Sequence, residues 1–372
     1  MTMSTGAVMY DLVCRYAALG NHRTGTPADD ATRDLVAAAL ERRGAAVERV
    51  PYTFDRFEAT ASVVADGARV PCLPLYYSGT GSFSTDAPFV ASLEMFRGVA
   101  AVDLRERRHD ARDVGAEIAV LATGRGEGPV VAENVVPEVD DGPVTVLVAG
   151  SDAERVAAGP TSAEVSAQLV AGRSETVVAR LGPVGEDPVV VTTPLTGWFT
   201  CAGERATGIA VALEVVSDLA VGGLPVLFVG TTGHELEHLG VRHWLTASEV
   251  APRAVLHCGA SLAAGAVTDG VCELSDLRLA MSNVDDDSLR PLARALSPVG
   301  LTTVPGPGDW IGEGEQWRRF AVPLLSCTGG FDRFHTPDDV PEAVTAPEAL
   351  EAVRAAVIEA ARVLVDADIP GP

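Results

Sequence analysis

The feature that most constrains the fold is a run of apolar strands that alternate with helices after residue 185. Four segments are typical of buried strands: 187–193 (DPVVVTT), 224–232 (LPVLFVGTT), 253–261 (RAVLHCGAS) and 321–330 (AVPLLSCTGG). Helices are predicted over 208–223, 241–250 and 345–367, the last with Thr345 as its N-cap. Strands that are apolar on both faces indicate a sheet covered by helices on both sides. We therefore predict an α/β fold with a mixed, mostly parallel sheet.

The N-terminal half has a different pattern. A helix is predicted over 29–44 and a strand over 45–54. From about 58 to 185, short Val-rich segments alternate with Gly/Pro turns, with strands predicted at 99–104, 117–123, 144–150 and 175–181 and helices near 105–115 and 161–172. This composition predicts a β-rich insert over 58–185. Residues 1–57 and 186–372 would then form the main domain.

Charge and composition exclude several kinds of chemistry. The chain has 51 Asp and Glu against 28 basic residues, which argues against nucleic acid and anionic membranes as partners. All 28 basic residues are Arg, so a pyridoxal-phosphate Lys and the Lys of a nucleotide-binding P-loop are both excluded. The six Cys form no Cys-x-x-Cys pair, and no signal peptide or membrane span is predicted. We expect a cytoplasmic protein without nucleotide or pyridoxal phosphate; the sequence does not indicate its oligomeric state.

Polar side chains follow the predicted central strands, at the edge where α/β sheets bind their ligands. They lie in the segments 193–196, 234–235 and 257–261 and at His335. His234 to His238 reads His-Glu-x-x-His, a string that on a helix can hold zinc. Here a strand leads directly into His234, and we expect a helix only from about Leu239. The strand context therefore disfavours a His234–His238 zinc pair.

Five segments, in order, resemble the di-zinc aminopeptidases of metallopeptidase family 28, which includes glutaminyl cyclases. They are GNHRTGTPADDATRDL, the Val-rich insert, GERATGIAVALEVVSDL, LPVLFVGTTGHELEHLG and RFHTPDDV. The resemblance covers nearly the whole chain and implies a zinc-exopeptidase-like fold with an inserted protease-associated domain. It aligns the bridging Asp of that family with Glu204, the Glu-Glu pair with His234 and Glu235, and the last His ligand with His335.

The resemblance implies one zinc ion, because Glu204, Glu235 and His335 match one of the two metal sites. The other site lacks its His and its Asp: Pro194-Leu195-Thr196 stands at the first, and no Asp lies near His257 and Cys258. His234 then stands where the general base of the family is a Glu. An imidazole titrates near neutral pH and can accept and return a proton.

Two functions follow as hypotheses. The first is a zinc-dependent hydrolase of an amide or peptide bond in a small molecule or short peptide, with His234 as base. The second is a metal-free protein of the same fold, either a binding protein or an enzyme of cyclisation or acyl transfer, that uses its His-rich pocket. Candidate substrate-binding residues are Trp198, His238, His257, Asp309, Trp310 and Phe334. A Cys201 or Cys258 nucleophile paired with His234 or His257 is a further alternative, whereas the chain has no Gly-x-Ser-x-Gly elbow of a serine hydrolase.

Overall fold

A computed structural model describes residues 3–93, 101–124, 128–184, 187–306 and 308–369, with residues 101–103 described by their backbone alone. The helices are α1 (Thr5–Ala17), α2 (Pro27–Glu41), α3 (Ala101–Asp113), α4 (Ala153–Ala158), α5 (Thr207–Val221), α6 (Leu239–Ala247), α7 (Asp286–Leu296), α8 (Pro341–Val344) and α9 (Pro347–Val365). The strands of the N-terminal half are β1 (Ala46–Ala65), β2 (Ala68–Val70), β3 (Cys72–Pro74), β4 (Gly81–Thr85), β5 (Phe89–Ser92), β6 (Ile118–Thr123), β7 (Val144–Ala149) and β8 (Thr161–Leu181). Those of the C-terminal half are β9 (Val189–Pro194), β10 (Val226–Thr231), β11 (Ala254–Cys258), β12 (Gly265–Thr268), β13 (Val271–Leu274), β14 (Arg278–Ser282), β15 (Thr302–Pro305) and β16 (Leu324–Gly329).

The main sheet is mixed, as predicted, with the order β15-β14-β16-β11-β9-β10-β8-β1-β2. The four strands β10, β9, β11 and β16 run parallel to one another at its centre. Their residues alternate between two apolar clusters, with Val191 facing the α1, α2, α5 and α9 side and Val190 facing the α6 side. Both faces of these strands are therefore buried, which explains why the strands are apolar throughout.

Two long strands connect the main sheet to a second sheet. β1 and β8 pair antiparallel along their whole length, from Ala46 opposite Arg180 to Ala65 opposite Thr161. The second sheet has the order β3-β7-β6-β5 and is covered by its own apolar clusters. It lies within the segment predicted as a β-rich insert. The boundaries at 57/58 and 185/186, and the assignment to a protease-associated domain, stay predictions.

Three local predictions were wrong. Residues 161–172 form the first half of β8 rather than a helix, because Ala163, Val165 and Ala167 alternate inward against β1 and its neighbours. The strand predicted at 99–104 is helical from Ala101, while 99–100 lies outside the described residues. The N-cap of α9 is Ala346 rather than Thr345, whose hydroxyl donates to the carbonyl of Ala263 instead. Across the described ranges, no helix is long and apolar enough to span a membrane.

Candidate active site

The carboxyl ends of the central parallel strands bring the predicted polar residues to one edge of the sheet. His257 lies within β11, His234 and Glu235 follow β10, and His335 follows β16. Glu204 lies in the connection between β9 and α5. All five side chains are almost completely buried. This clustering is the arrangement that the strand-end pattern predicted.

Glu204 and Arg205 lie on a π-helical turn, Ala202–Ala206, that leads into α5. π-turns are uncommon and are frequently found at functional sites. The carboxylate of Asp339 fixes this turn, because it accepts hydrogen bonds from the backbone N–H groups of Gly203 (2.6 Å) and Glu204 (3.0 Å). Burial raises the pKa of Asp339 to about 7. Asp339 ends the RFHTPDD segment, so that segment supplies both His335 and the residue that holds Glu204 in place.

One oxygen of Glu204 faces two cationic groups. Glu204 Oε1 lies 2.6 Å from Nη2 of Arg205 and 3.1 Å from Nε2 of His335, and all three residues are buried. Burial alone would raise the pKa of Glu204, but Arg205 and His335 bring it below its usual value. Burial likewise opposes charge on His335, but the Glu204 carboxylate raises the pKa of His335 above its usual value. The Glu204 side chain is therefore an ionised partner of Arg205 and His335.

Glu235 is held by the N-terminal segment. Its carboxylate accepts hydrogen bonds from the backbone N–H of Thr24 (2.6 Å) and from the hydroxyl of Thr196 (2.9 Å). Gly233, with φ of 76°, turns the chain between β10 and His234, and its N–H also donates to both threonine hydroxyls. Burial raises the pKa of Glu235 despite these donors.

His234 forms a pair with a carboxylate that the sequence did not single out. His234 Nδ1 lies 3.4 Å from Glu313 Oε2, and the other oxygen of Glu313 accepts from the hydroxyl of Thr231. Burial raises the pKa of Glu313 to about 7 and lowers that of His234 well below its usual range; the charge of Arg205 lowers it further. The ring of His238 lies 4.8 Å from that of His234.

His257, the next imidazole of the site, pairs with a serine hydroxyl. Its Nδ1 lies 2.9 Å from the hydroxyl of Ser326, whereas its buried Nε2 has no hydrogen-bond partner among the described residues. Burial lowers the pKa of His257 to about 3, with a contribution from the charges of His238 and Arg205. His257 is therefore neutral, and its Nε2 is a buried polar atom that a bound molecule can satisfy.

A segment of the predicted insert, residues 131–135, lies directly against the site; we call it the strap. Its Ala132 N–H donates to the carbonyl of His335, and its Val135 N–H donates to the carbonyl of Glu235, at 2.9 and 3.0 Å. His335 Nδ1 in turn donates to the carbonyl of Ala132 at 2.9 Å. The strap is therefore joined to residues that follow both β10 and β16.

The structure places some of the predicted substrate-binding residues at this site and others elsewhere. Phe334 stacks on the His335 ring at 4.1 Å, and buried Trp198 donates from Nε1 to Asn134 Oδ1 of the strap at 2.9 Å. Trp310 instead belongs to the apolar cluster on the α6 side, and Asp309 is exposed beside it. Asp309 and Trp310 therefore do not lie beside His234, His257 and His335.

Two alternative chemistries gain no support from the geometry. His234 and His238 do not share a helical turn, because α6 begins at Leu239 and His238 has a left-handed backbone. Burial raises the pKa of the Cys201 and Cys258 thiols well above their usual value, which disfavours a thiolate nucleophile.

Left-handed backbone at non-glycine positions is strained and concentrates here, at Phe199, Cys201, Glu237, His238, Ser261 and His335.

Solved structures with the same architecture cover nearly the whole chain. A peptidase M28 precursor from Shewanella amazonensis has 17% identity and a TM-score of 0.76, covering 98% of this chain and 95% of its own. A zinc aminopeptidase from Bacillus subtilis has 15% identity and a TM-score of 0.71, covering 95% and 94%. A glutaminyl cyclase from Porphyromonas gingivalis has 13% identity and a TM-score of 0.51, covering 96% and 97%.

This chain has the M28 aminopeptidase fold. No protein-family model matches the sequence, and no curated protein sequence matches it. At these identities the similarity establishes the fold, and the site must be interpreted from its own residues.

The residues of the M28-type site do not fit a zinc ion as they are placed. The structure brings Glu204 and His335 together, but the guanidinium of Arg205 already contacts one oxygen of this carboxylate, Oε1. Glu235 is engaged by Thr24 and Thr196. The described part of the chain contains no group of three or more His, Cys, Asp or Glu side chains that could hold a metal. A cation at this oxygen would lie beside an existing buried cation, which Coulomb repulsion opposes.

Sequence reasoning missed Arg205, Glu313 and the strap. Arg205 stands beside Glu204 within the quoted GERATG segment, so its charge next to an expected metal ligand was the available signal. Glu313 lies more than 75 residues from His234 in sequence, in a 3₁₀ helix, Glu313–Phe320, that packs against β11, β16 and α6. No periodic pattern marks such a contact.

Proposed function

We propose that this protein is an enzyme that cleaves or transfers the acyl group of an amide bond in a small, peptide-like substrate. The observation that carries the proposal is the His234–Glu313 pair at the carboxyl end of β10. There His234 stands at the position that the resemblance assigns to the general base. Glu313 contacts Nδ1, so it orients the ring and shares the proton that His234 accepts.

The pair suits proton transfer because its two members hold one proton between them near neutral pH. With the pKa of Glu313 at about 7, the carboxyl group is part protonated under ordinary conditions. When Glu313 is ionised, it accepts the Nδ1–H of neutral His234, so Nε2 can take a proton from an attacking water or amine, and the carboxylate then stabilises the imidazolium. The same proton then passes to the leaving amine.

The kind of nucleophile decides between two reactions. The M28 peptidase precursor and the zinc aminopeptidase share the fold at TM-scores of 0.76 and 0.71, which favours water as the nucleophile. A glutaminyl cyclase shares the fold at a lower TM-score, which supports an internal amine as the alternative. Hydrolysis adds one water to the products, whereas cyclisation of an N-terminal glutaminyl peptide releases ammonia.

The zinc-dependent form of this proposal has support from the zinc aminopeptidase fold alone. It requires Glu204, Glu235 and His335 to approach one ion beside the guanidinium of Arg205. We place it second, because an ion held by Glu204 would lie beside the buried cation of Arg205.

The experiment is a mass-spectrometric screen of the purified protein against aminoacyl anilides, dipeptides and N-terminal glutaminyl peptides. We expect turnover of at least one member by the wild type and a decrease of kcat of about a hundredfold or more in His234→Gln. His243→Gln is the matched control, because His243 is an exposed imidazole nine residues along the same segment. Equal activity of His234→Gln and the wild type would contradict the proposal.

A further inference from the structure

The Arg205 side chain is anchored at one end and has unused hydrogen-bonding capacity at the other. Its Nε donates to the carbonyl of Thr196 at 2.8 Å, and its Nη2 lies 2.6 Å from Glu204 Oε1. Within the described residues, neither Nη1 nor Nη2 has a hydrogen-bond partner of acceptable geometry, although Arg205 is 1% exposed. Buried guanidinium donors without acceptors are rare in native proteins, because their desolvation is costly.

These donors lie among other unpartnered polar atoms. Glu204 Oε2 and His257 Nε2 are buried and also have no hydrogen-bond partner in the described part of the chain. The charge of Arg205 acts on His234, His238 and His257, so the guanidinium lies within electrostatic reach of all three imidazoles. Several unpartnered polar groups around one fixed cation indicate a place that a polar ligand fills.

We propose that Arg205 is a built-in cation that stands in for the zinc ion of this fold and binds the carbonyl oxygen of the substrate through its Nη groups. This proposal rests on the proposed function, because it supplies the electrophile for the same reaction. It explains why the carboxylate aligned with a metal ligand, Glu204, is occupied by a guanidinium.

The charges favour a neutral carbonyl group over a carboxylate as the ligand of Arg205. Five buried carboxyl groups already lie at the site: Glu133, Glu204, Glu235, Glu313 and Asp339. A further full negative charge would repel them at low dielectric, whereas a carbonyl oxygen gains negative charge only in the transition state. Arg205 thus stabilises the negative charge that develops on the carbonyl oxygen in the transition state, rather than a carboxylate of the substrate.

The reaction balances with water as the nucleophile. The water oxygen forms a bond to the carbonyl carbon, its proton moves to His234, and the π electron pair moves to the oxygen held by Arg205. When the tetrahedral intermediate collapses, the carbon–nitrogen bond breaks and the proton on His234 passes to the amine. One amide and one water give one carboxylic acid and one amine.

Zinc titration tests whether Arg205 holds the position of the metal, and it needs no substrate. Metal-free wild type, Glu204→Gln and His335→Gln are titrated with Zn²⁺ by calorimetry. We expect the wild type to bind no Zn²⁺ at this site. Any weak binding that is detected should be the same in Glu204→Gln and His335→Gln. One zinc per chain in the wild type, lost in both variants, would overturn the proposal, because the ion would then displace Arg205.

Kinetics test whether Arg205 acts on the carbonyl. With an aminoacyl anilide that the wild type hydrolyses, Arg205→Gln should lower kcat by about a hundred- to a thousandfold, with a smaller change in KM. Chelators should leave wild-type activity unchanged. Arg253→Gln is the control, because Arg253 forms an exposed ion pair with Asp366. Chelator-sensitive wild-type activity, or a full-activity Arg205→Gln enzyme, would overturn the assignment.

A double variant covers the case in which Arg205→Gln does not fold. Glu204→Gln/Arg205→Gln replaces the ion pair by two neutral amides of similar size, so no unpaired charge is buried. We expect it to fold, which circular dichroism checks, and to have the same loss of kcat. If the folded double variant has wild-type kcat, Arg205 is not the electrophile. If the wild type turns over none of the anilides, dipeptides and glutaminyl peptides, the proposed function fails, while the zinc titration still decides whether Arg205 replaces the metal.

Discussion

Arg205 Nη2 and Glu204 Oε1 are 2.6 Å apart, and both side chains are completely buried. The two residues are neighbours in sequence, and the π-turn places both charged groups on the same side of the chain. A buried charge that loses its partner is strongly destabilising, because nothing replaces its lost hydration. The pair therefore contributes to stability as well as to the site.

We expect Arg205→Met to destabilise the fold by about 3–5 kcal/mol, because buried Glu204 loses one of its two cationic partners and keeps His335 alone. Urea denaturation of the wild type and the variant measures this difference. Arg253→Met is the comparison, since its exposed ion pair with Asp366 should contribute less than about 1 kcal/mol. An equal decrease in the free energy of unfolding in both variants would show that the buried Glu204–Arg205 pair contributes no more stability than the exposed pair.

Buried Glu313 should make stability fall as pH rises. Its pKa is raised from 4.5 to about 7 in the fold, so between these values the folded chain holds a proton that the unfolded chain has lost. The wild type should lose up to about 1.4 kcal/mol per pH unit in this window, relative to Glu313→Gln. Denaturant unfolding of both proteins at pH 5 and pH 7 checks the difference. Parallel pH curves for the two proteins would contradict it.

Buried His22 should have the opposite effect. Its ring stacks on Tyr16 at 3.7 Å, its Nδ1 contacts the Thr32 hydroxyl, and burial lowers its pKa to about 3. Between pH 3 and 6.5 only the unfolded chain binds the proton, so stability falls as pH falls through this range. In His22→Gln we expect a shallower fall, by up to about 1.4 kcal/mol per pH unit. Thr32→Val, which retains the imidazole, should keep the wild-type slope in the same unfolding series.

Asn134 should hold the strap against the site. Its side chain accepts the Trp198 Nε1–H bond, so Asn134→Ala leaves a buried indole donor unpaired. We expect faster hydrogen exchange at the Ala132 and Val135 amides, measured by mass spectrometry of peptides that cover 128–136. Peptides that cover β9 serve as the internal control. Unchanged exchange at both amides would show that the backbone bonds to His335 and Glu235 suffice to hold the strap.

The central strands could be predicted because their apolar runs reflect burial on both faces, as Val190 and Val191 show. Residues 161–172 were misread because Ala and Gln favour helix locally, whereas pairing with β1 decides the structure. At the site, the strand ends predicted which residues meet, and the structure places His234, Glu235 and His335 at the same edge of the sheet, while their roles stay predictions. Their partners were not found, because Glu313 and the strap meet them only through tertiary contacts.

The strap has one more implication, for how such a site can change over time. Its contacts to Glu235 and to the carbonyl of His335 are made between main-chain atoms, and every residue type offers those atoms. The side chain of Glu235 can therefore be exchanged without loss of its bond to the strap, whereas exchange of His335 removes only the Nδ1 bond to Ala132 and leaves the main-chain bond in place. Side chains at the sheet edge can therefore change during evolution, and with them the chemistry of the site, while the main-chain bonds of the strap are kept.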